Sequence, residues 1–413
     1  MRTAEMSERF VVTGLGITSP AGFGVGPYWN GLLNPAKPPT DGQFRVPQIT
    51  DGQFPGEYQK PKNNRAMDDF TRFALLAAHE AATQSGIIGD IDPRRLGVIV
   101  GVGDGGSNTR HQVIHDVYAS NPPAFGRRDG KIPLRYIPMT MPSGAASLLG
   151  IYFGAEGPIE APSLACATGG AAVIAALQKL SRGNVDAMIV GSSEATSESP
   201  VARAAFVNMG AITRNGISMP FDARRDGFAL AEGSGMLVVE RESTALKRGA
   251  TPLAYIIGYG ETNDAHNMTD PHPEGKGLER AYIEAMEDAG IEPSQVGALN
   301  VHGTSTGAND SVEAEVIARI FGTEPDGPLV TSNKGAFGHW LGGCAAESVA
   351  SVLSLQHKLI PHIANLEIPD PSLPAINLVM GQPAVWEHGG KGIILKANAA
   401  FGGSNIVLAY AAA

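Results

Sequence analysis

Short apolar runs bounded by glycine, proline or charge recur along the chain, and longer stretches with helical spacing of apolar residues lie between them. Residues 96–100, 187–190 and 236–239 have the length and β-branched content of strands buried on both faces. Residues 68–84, 168–182, 277–289 and 343–357 read as helices. Strands and helices that alternate in this way predict a layered α/β architecture.

The pattern also repeats. Ile91-Asp92-Pro93 ahead of one apolar run is echoed by Ile291-Glu292-Pro293 ahead of another, both reading as a helix exit followed by a buried strand. Gly157-Pro158-Ile159, which leads to Cys166 and a helix, matches Gly327-Pro328-Leu329, which leads to Lys334, His339 and a helix. At that same spacing Gly233-Ser234-Gly235 falls on Gly403-Ser404-Asn405, and a weaker pair joins Gly14-Leu15-Gly16 to Gly258-Tyr259-Gly260. Several matches in one order predict a duplicated α/β unit, with halves at 1–251 and 252–413. Residues 37–65 and 107–132 lack counterparts of equal length and are candidate excursions for a substrate tunnel or a dimer contact.

At 413 residues, 43% hydrophobic and 17% charged, the chain can bury one large core or two medium ones. Its formal charge of −10, without a Lys/Arg block, argues against a nucleic-acid partner. The first ten residues are charged, and no apolar span has membrane-crossing length, so a cytoplasmic protein is expected. With two cysteines and no CxxC or Cys/His cluster, neither a disulfide framework nor a metal site is expected.

Candidate chemistry centres on Cys166, which ends an apolar run and opens a helix; the positive field of a helix start favours thiolate and so makes a nucleophile. Two distant histidines in glycine-rich settings, His302 and His339, complete a set suited to acyl transfer. Gly101-Val102-Gly103-Asp104-Gly105-Gly106 fits the dinucleotide fingerprint in form only. Pro122, Pro123, Gly126 and Gly130 break the region where the next strand and its ribose-binding acid belong, so a tight turn is expected and no cofactor.

Ala165-Cys166-Ala167-Thr168-Gly169, Pro220-Phe221-Asp222-Ala223-Arg224-Arg225-Asp226-Gly227-Phe228, His302-Gly303-Thr304-Ser305-Thr306, Lys334 with Gly338-His339, and Phe401-Gly402-Gly403-Ser404-Asn405 together resemble the elongating β-ketoacyl-[acyl-carrier-protein] synthases. The resemblance runs over about residues 10–410 and implies a thiolase-like α/β fold, two duplicated halves in a layered αβαβα architecture. It implies that Cys166 takes an acyl group from an acyl carrier protein and that a malonyl-carrier donor then loses carbon dioxide. The resulting enolate would be held by His302 and His339 as neutral imidazoles, each donating one N–H, and would attack the acyl-Cys thioester. Lys334 matches the family's active-site lysine and requires a nearby acid; Glu313 fits the family spacing, with Asp310 as a second choice. The backbone amides of Cys166 and Phe401 are implied as the oxyanion hole, Gly402 and Gly403 permitting the close approach. Lys62, Arg65 and Arg72 form a small basic group that would meet an acidic carrier protein or serve as an ordinary solvated face.

The chain departs from the family pattern at two substrate positions. Asp104 stands where a small apolar residue lines the distal acyl pocket or the dimer seam, and a carboxylate there is costly unless paired or wet. Ala399 replaces an aromatic residue before the gating Phe401 and should widen the gate, in a stretch that begins at Lys396 where the family shows serine and asparagine. Both point to a specialised synthase, of polyketide or modified-lipid type, beside primary fatty-acid elongation as the other substrate variant, working as a homodimer or as a heterodimer with a related subunit. The alternatives are a noncatalytic chain-length partner, which lacks the nucleophile, and a biosynthetic thiolase, which needs a second catalytic cysteine near the C-terminus.

Overall fold

A computed structural model describes residues 8–64, 67–119, 132–387 and 392–413. Its main sheet is built from β1 (Phe10–Ser19), β2 (Leu96–Gly101), β3 (Ile159–Glu160), β4 (Ala187–Glu194), β5 (Gly233–Arg241), β6 (Ala254–Asn263), β7 (Ala298–Asn300), β8 (Leu329–Thr331), β9 (Ile393–Ala399) and β10 (Ser404–Ala412). Their order is β8-β7-β9-β10-β6-β1-β5-β4-β2-β3, with the two-residue strand Gly22–Phe23 beside β1. The order is a palindrome about the β6–β1 junction. On each side the first two steps outward are antiparallel and the next two parallel. Only Phe10 to Val12 of β1 pair with β6, so the halves join along a short seam.

The repeated segments occupy equivalent places: β2 and β7, β3 and β8, β5 and β10 are the matched pairs. Even the weak Gly-x-Gly match has a physical cause. A Cβ on Gly16 would lie 1.8 Å from the Ala77 carbonyl oxygen, and one on Gly260 would lie 2.1 Å from that of Ala281. Each half therefore needs bare backbone on its inner strand so that an outer helix can lie against it. Those helices are Asp69–Ser85, capped by the Asp68 side chain, and Lys276–Ala289. The helices Thr168–Ser181 and Cys344–His357 are buried almost throughout and share one core cluster with strands of both halves. A helix apolar on all sides is a central layer, which completes the αβαβα stack.

The four helices expected from periodicity stand within a residue or two of their predicted bounds. Of the two expected excursions, the first holds only a two-residue strand, Gln43–Phe44, with helical turns, and the second contains the helix Ser107–Tyr118.

Candidate active site

Cys166 lies in the tight turn Ala165–Ala167 just ahead of the Thr168–Ser181 helix, at the end of the loop that leaves β3. Ala165 takes φ 45°, a left-handed conformation unusual for a residue with a side chain. The Thr168 hydroxyl braces the turn by accepting from the Leu164 N–H at 2.8 Å and donating to the Ala165 carbonyl at 2.7 Å. This strain faces Cys166 toward the opposite half, where the matched strands β7 and β8 end in His302 and in the turn that carries Lys334 and His339.

His339 Nε2 stands 3.0 Å from Cys166 Sγ. The His302 and His339 rings meet edge to face with centroids 5.5 Å apart. Phe228, from the 220–228 motif, packs its ring on His339, and the neighbouring Ala229 carbonyl accepts the His339 backbone N–H at 2.8 Å. Lys334 Nζ donates to the His302 carbonyl at 2.7 Å, lies 3.4 Å from His302 Nδ1 and bonds Glu347 Oε1. A lysine ammonium only donates, so His302 Nδ1 is its acceptor and the ring's proton sits on Nε2, away from Lys334. Cys166, His302 and His339 line a cavity of about 380 Å³ with Phe206, Phe401 and Ala399.

Burial pushes the Cys166 thiol up to about 12, against the pull of Lys334. The expectation of a resting thiolate is therefore corrected: the helix start is there, but Cys166 has only 6% exposure and losing water outweighs the field. Burial holds His339 down at about 3 and His302 well below the ordinary imidazole range, with Lys334 acting in the same direction on both. Both rings are neutral, as the proposed N–H donors must be.

The acid beside Lys334 is Glu347, not Glu313 or Asp310. Glu313 is buried and spends its oxygens on the backbone N–H groups of His302 and Gly303, each at 2.7 Å, which shapes the loop that presents His302. Asp310 accepts from Ser305 and Phe221 amides. Glu347 stands in the buried Cys344–His357 helix, where Lys334 and Lys396 hold its carboxyl at about 2 although burial opposes its charge. Sequence reasoning passed over Glu347, and noted Lys396 and Asn398 only within a stretch that departs from the family pattern. Their signal was a lone acid, Glu347, and a lone base, Lys396, each inside a run otherwise free of charge, which must find a partner.

Phe401 stacks on Phe206 at 6.3 Å, and its backbone N–H points at the Cys166 sulfur. Gly402 and Gly403 follow with φ 84° and 78°, values that a side chain would strain. Asp104 does not line the cavity. Its carboxylate is 44% exposed and paired with Arg110 at 2.7 Å, which removes the cost expected of it. The Gly103 and Asp104 amides donate to the buried Glu194, so the G-x-G-x-x-G turn has spent the amides that a phosphate would need. Of the basic group, Lys62 is exposed, Arg72 is paired with Asp69 at 2.7 Å, and Arg65 lies outside the described residues. Cys344 is absent from the cavity wall; its sulfur accepts the Gly169 and Gly170 amides.

Family models for the β-ketoacyl synthase N-terminal domain and C-terminal domain match residues 7–245 and 253–367. The chain belongs to the β-ketoacyl synthase family. This synthase is 34% identical to the 3-oxoacyl-[acyl-carrier-protein] synthase 2 of Synechocystis sp. (strain ATCC 27184 / PCC 6803 / Kazusa), over 98% of each chain. It is 35% identical to the enzyme of the same name from Staphylococcus aureus (strain N315), over 88% of this chain and 90% of that protein. Among solved structures, the synthase resembles a chain of a type II PKS acyl-carrier protein in complex with its ketosynthase bound to the hexaketide. The TM-score there is 0.87 at 28% identity, covering 99% of this chain and 100% of that one. A ketosynthase in complex with its chain length factor from Xenorhabdus doucetiae gives 0.83 at 25% identity, covering both chains fully.

Proposed function

We propose that this synthase condenses an acyl group held on Cys166 with a malonyl group on a carrier protein, giving a β-ketoacyl-carrier protein and carbon dioxide. The observation that carries the reading is the convergence of Cys166, His339 and His302 in one cavity, with Lys334 behind His302. His339 Nε2 takes the thiol proton as Sγ attacks the carrier thioester, and returns it to the departing carrier thiol. Once sulfur is acylated it no longer donates to Nε2, and the ring can present an N–H from that nitrogen in its other neutral tautomer. His302 and His339 then stabilise the enolate left when the malonyl carboxylate departs. Its carbon attacks the acyl-Cys carbonyl, the amides of Cys166 and Phe401 receiving the tetrahedral oxygen; Cys166 leaves as the thiolate and takes up one proton from solvent, which restores the thiol.

The carrier protein is read as the donor partner, with Lys62, Arg65 and Arg72 as its candidate contacts, and the assembly as a dimer, homomeric or with a related ketosynthase-like subunit. No cofactor or metal enters these steps. Among the described residues no helix is long and apolar enough to cross a membrane, which fits the expected cytoplasmic setting. The noncatalytic-partner reading is disfavoured by the intact Cys166, His302, His339 and Lys334, and the thiolase reading by Cys344, which lies outside the cavity wall. Ala399 on the wall supports a widened gate and a polyketide or modified-lipid substrate over a primary fatty acyl chain. Intact-mass analysis of acyl transfer from carrier-bound chains, followed by addition of malonyl-carrier protein, tests the reading: Cys166 should gain the acyl mass and then lose it as product forms. An unmodified Cys166 in folded protein would sink it.

A further inference from the structure

Strand β9 carries a second buried lysine that the condensation steps leave without a role. Lys396 has 0% exposure and reaches Glu347 Oε2 at 2.7 Å, while its Nζ also donates to the Ala397 carbonyl. Asn398, two residues on and so on the same face of the strand, donates to that same carboxylate oxygen at 3.1 Å. Lys334 takes Oε1. Both oxygens of Glu347 are thus engaged, one by the lysine that touches His302 and the other by strand β9. The helix beneath is tied too, since Asn300 donates to the Glu347 carbonyl at 3.0 Å and to Asn333 at 2.9 Å.

We infer that Lys396 is a positioning residue of the condensation centre: by holding the far oxygen of Glu347 it fixes the carboxylate against which Lys334 is aimed at His302. The inference rests on the condensation reading above. Its first consequence is orientation, because Lys334 can hold the His302 proton on Nε2 only while its own Nζ is kept at the His302 carbonyl and Nδ1. Its second is charge. Two ammoniums around one carboxylate leave a net positive charge buried beside the histidines, which favours an enolate oxygen and opposes protonation of either ring. Burial lowers His302 first, and Lys334, His339 and Lys396 add to it; for His339, burial and Lys334 act downward, Glu347 upward and Lys396 downward. The charged and titratable groups facing Lys396 are Glu347 and Cys344 of the central helix and Lys334 of the opposing turn. Those around the histidines are Cys166, Lys334, Glu347 and Lys396, with Glu313 on the His302 backbone amide.

The test compares wild type, Lys396→Met and Lys396→Arg in two measurements: acylation of Cys166 by intact mass, and the pH profile of kcat for condensation. Lys396→Met should lower kcat roughly 10- to 100-fold, the scale of losing an outer orienting partner, while acylation stays within about threefold. Its acid limb should move to higher pH, because a histidine relieved of a neighbouring cation protonates more easily; Lys396→Arg should restore the wild-type limb. A Lys396→Met enzyme with the wild-type limb and kcat, or one losing acylation and condensation equally, would overturn the inference. If that variant does not fold, Lys396→Gln removes the charge at similar length, and a wild-type acid limb there has the same force. A wild-type enzyme that acylates but never condenses would instead overturn the reaction itself.

Discussion

At the scale of single residues, the protonation of Cys166 is what burial decides. With the thiol near 12, alkylation by chloroacetamide should climb about tenfold per pH unit between 7 and 10, because the thiolate fraction limits the rate. A rate already level at pH 7 to 8 would show a resting thiolate and restore the helix-field account. Cys344 should stay unmodified, since it is buried and its sulfur accepts two backbone amides. The acid assignment gives a second contrast. Glu347→Gln removes the shared counter-charge of two buried lysines and should cost roughly 3–5 kcal/mol of stability, measured by denaturant unfolding, as well as condensation. Glu313→Gln can still accept an amide N–H, and its effect should be much smaller; equal losses would reject the Lys334–Glu347 pairing as the dominant contact. The nucleophile and both histidines were legible because each sits among glycines that mark a turn. Glu347 was not, because it pairs across two elements far apart in sequence, and spacing along one helix carries no trace of that.

At the scale of elements, the central observation is that each half lays one outer helix on bare glycine backbone. Gly16→Val or Gly260→Val should drive the Asp69–Ser85 or Lys276–Ala289 helix off its strand, costing about 3 kcal/mol or more, at the upper end of overpacking because backbone and not a side chain must yield. Thermal unfolding measures it, and a loss below about 1 kcal/mol would mean that the helix slides freely. Gly52, which has open space around it, is the control. The duplication was readable in the sequence because these steric demands recur in both halves. The antiparallel β1–β6 seam was not readable, since it pairs two starts of halves through only three residues. Asp104 shows the opposite limit: its family position suggested a pocket wall or dimer seam, whereas the Arg110 pairing that turns it outward depends on how the helix after the loop is set.

For the whole molecule, the buried carboxylates make stability depend on pH in a way that single sites can isolate. Burial pushes Glu194 up to about 7, against the amides of Asp104 and Ala195, and Glu232 up to about 7, against the Ser197 hydroxyl and the Val46 amide. A carboxyl whose folded value lies above its unfolded value near 4.5 binds more protons when folded. Its stabilisation is complete below about 4.5 and is lost as pH rises through about 7. His302 and His339 act oppositely: lowered in the folded state, they remove stability as pH falls below about 6.5, where the unfolded imidazoles protonate. Between about 4.5 and 6.5 the two sets oppose each other, so the wild-type curve alone decides little. Glu194→Gln separates them. The amide stays neutral and still accepts from Gly103 or Asp104, so the variant should gain on wild type as pH rises from about 4.5 to 7, by up to about 3 kcal/mol. Denaturant unfolding at pH 5, 6, 7 and 8 reads the gap directly, and a gap independent of pH would show that Glu194 is ionised throughout and held by its three amide donors instead.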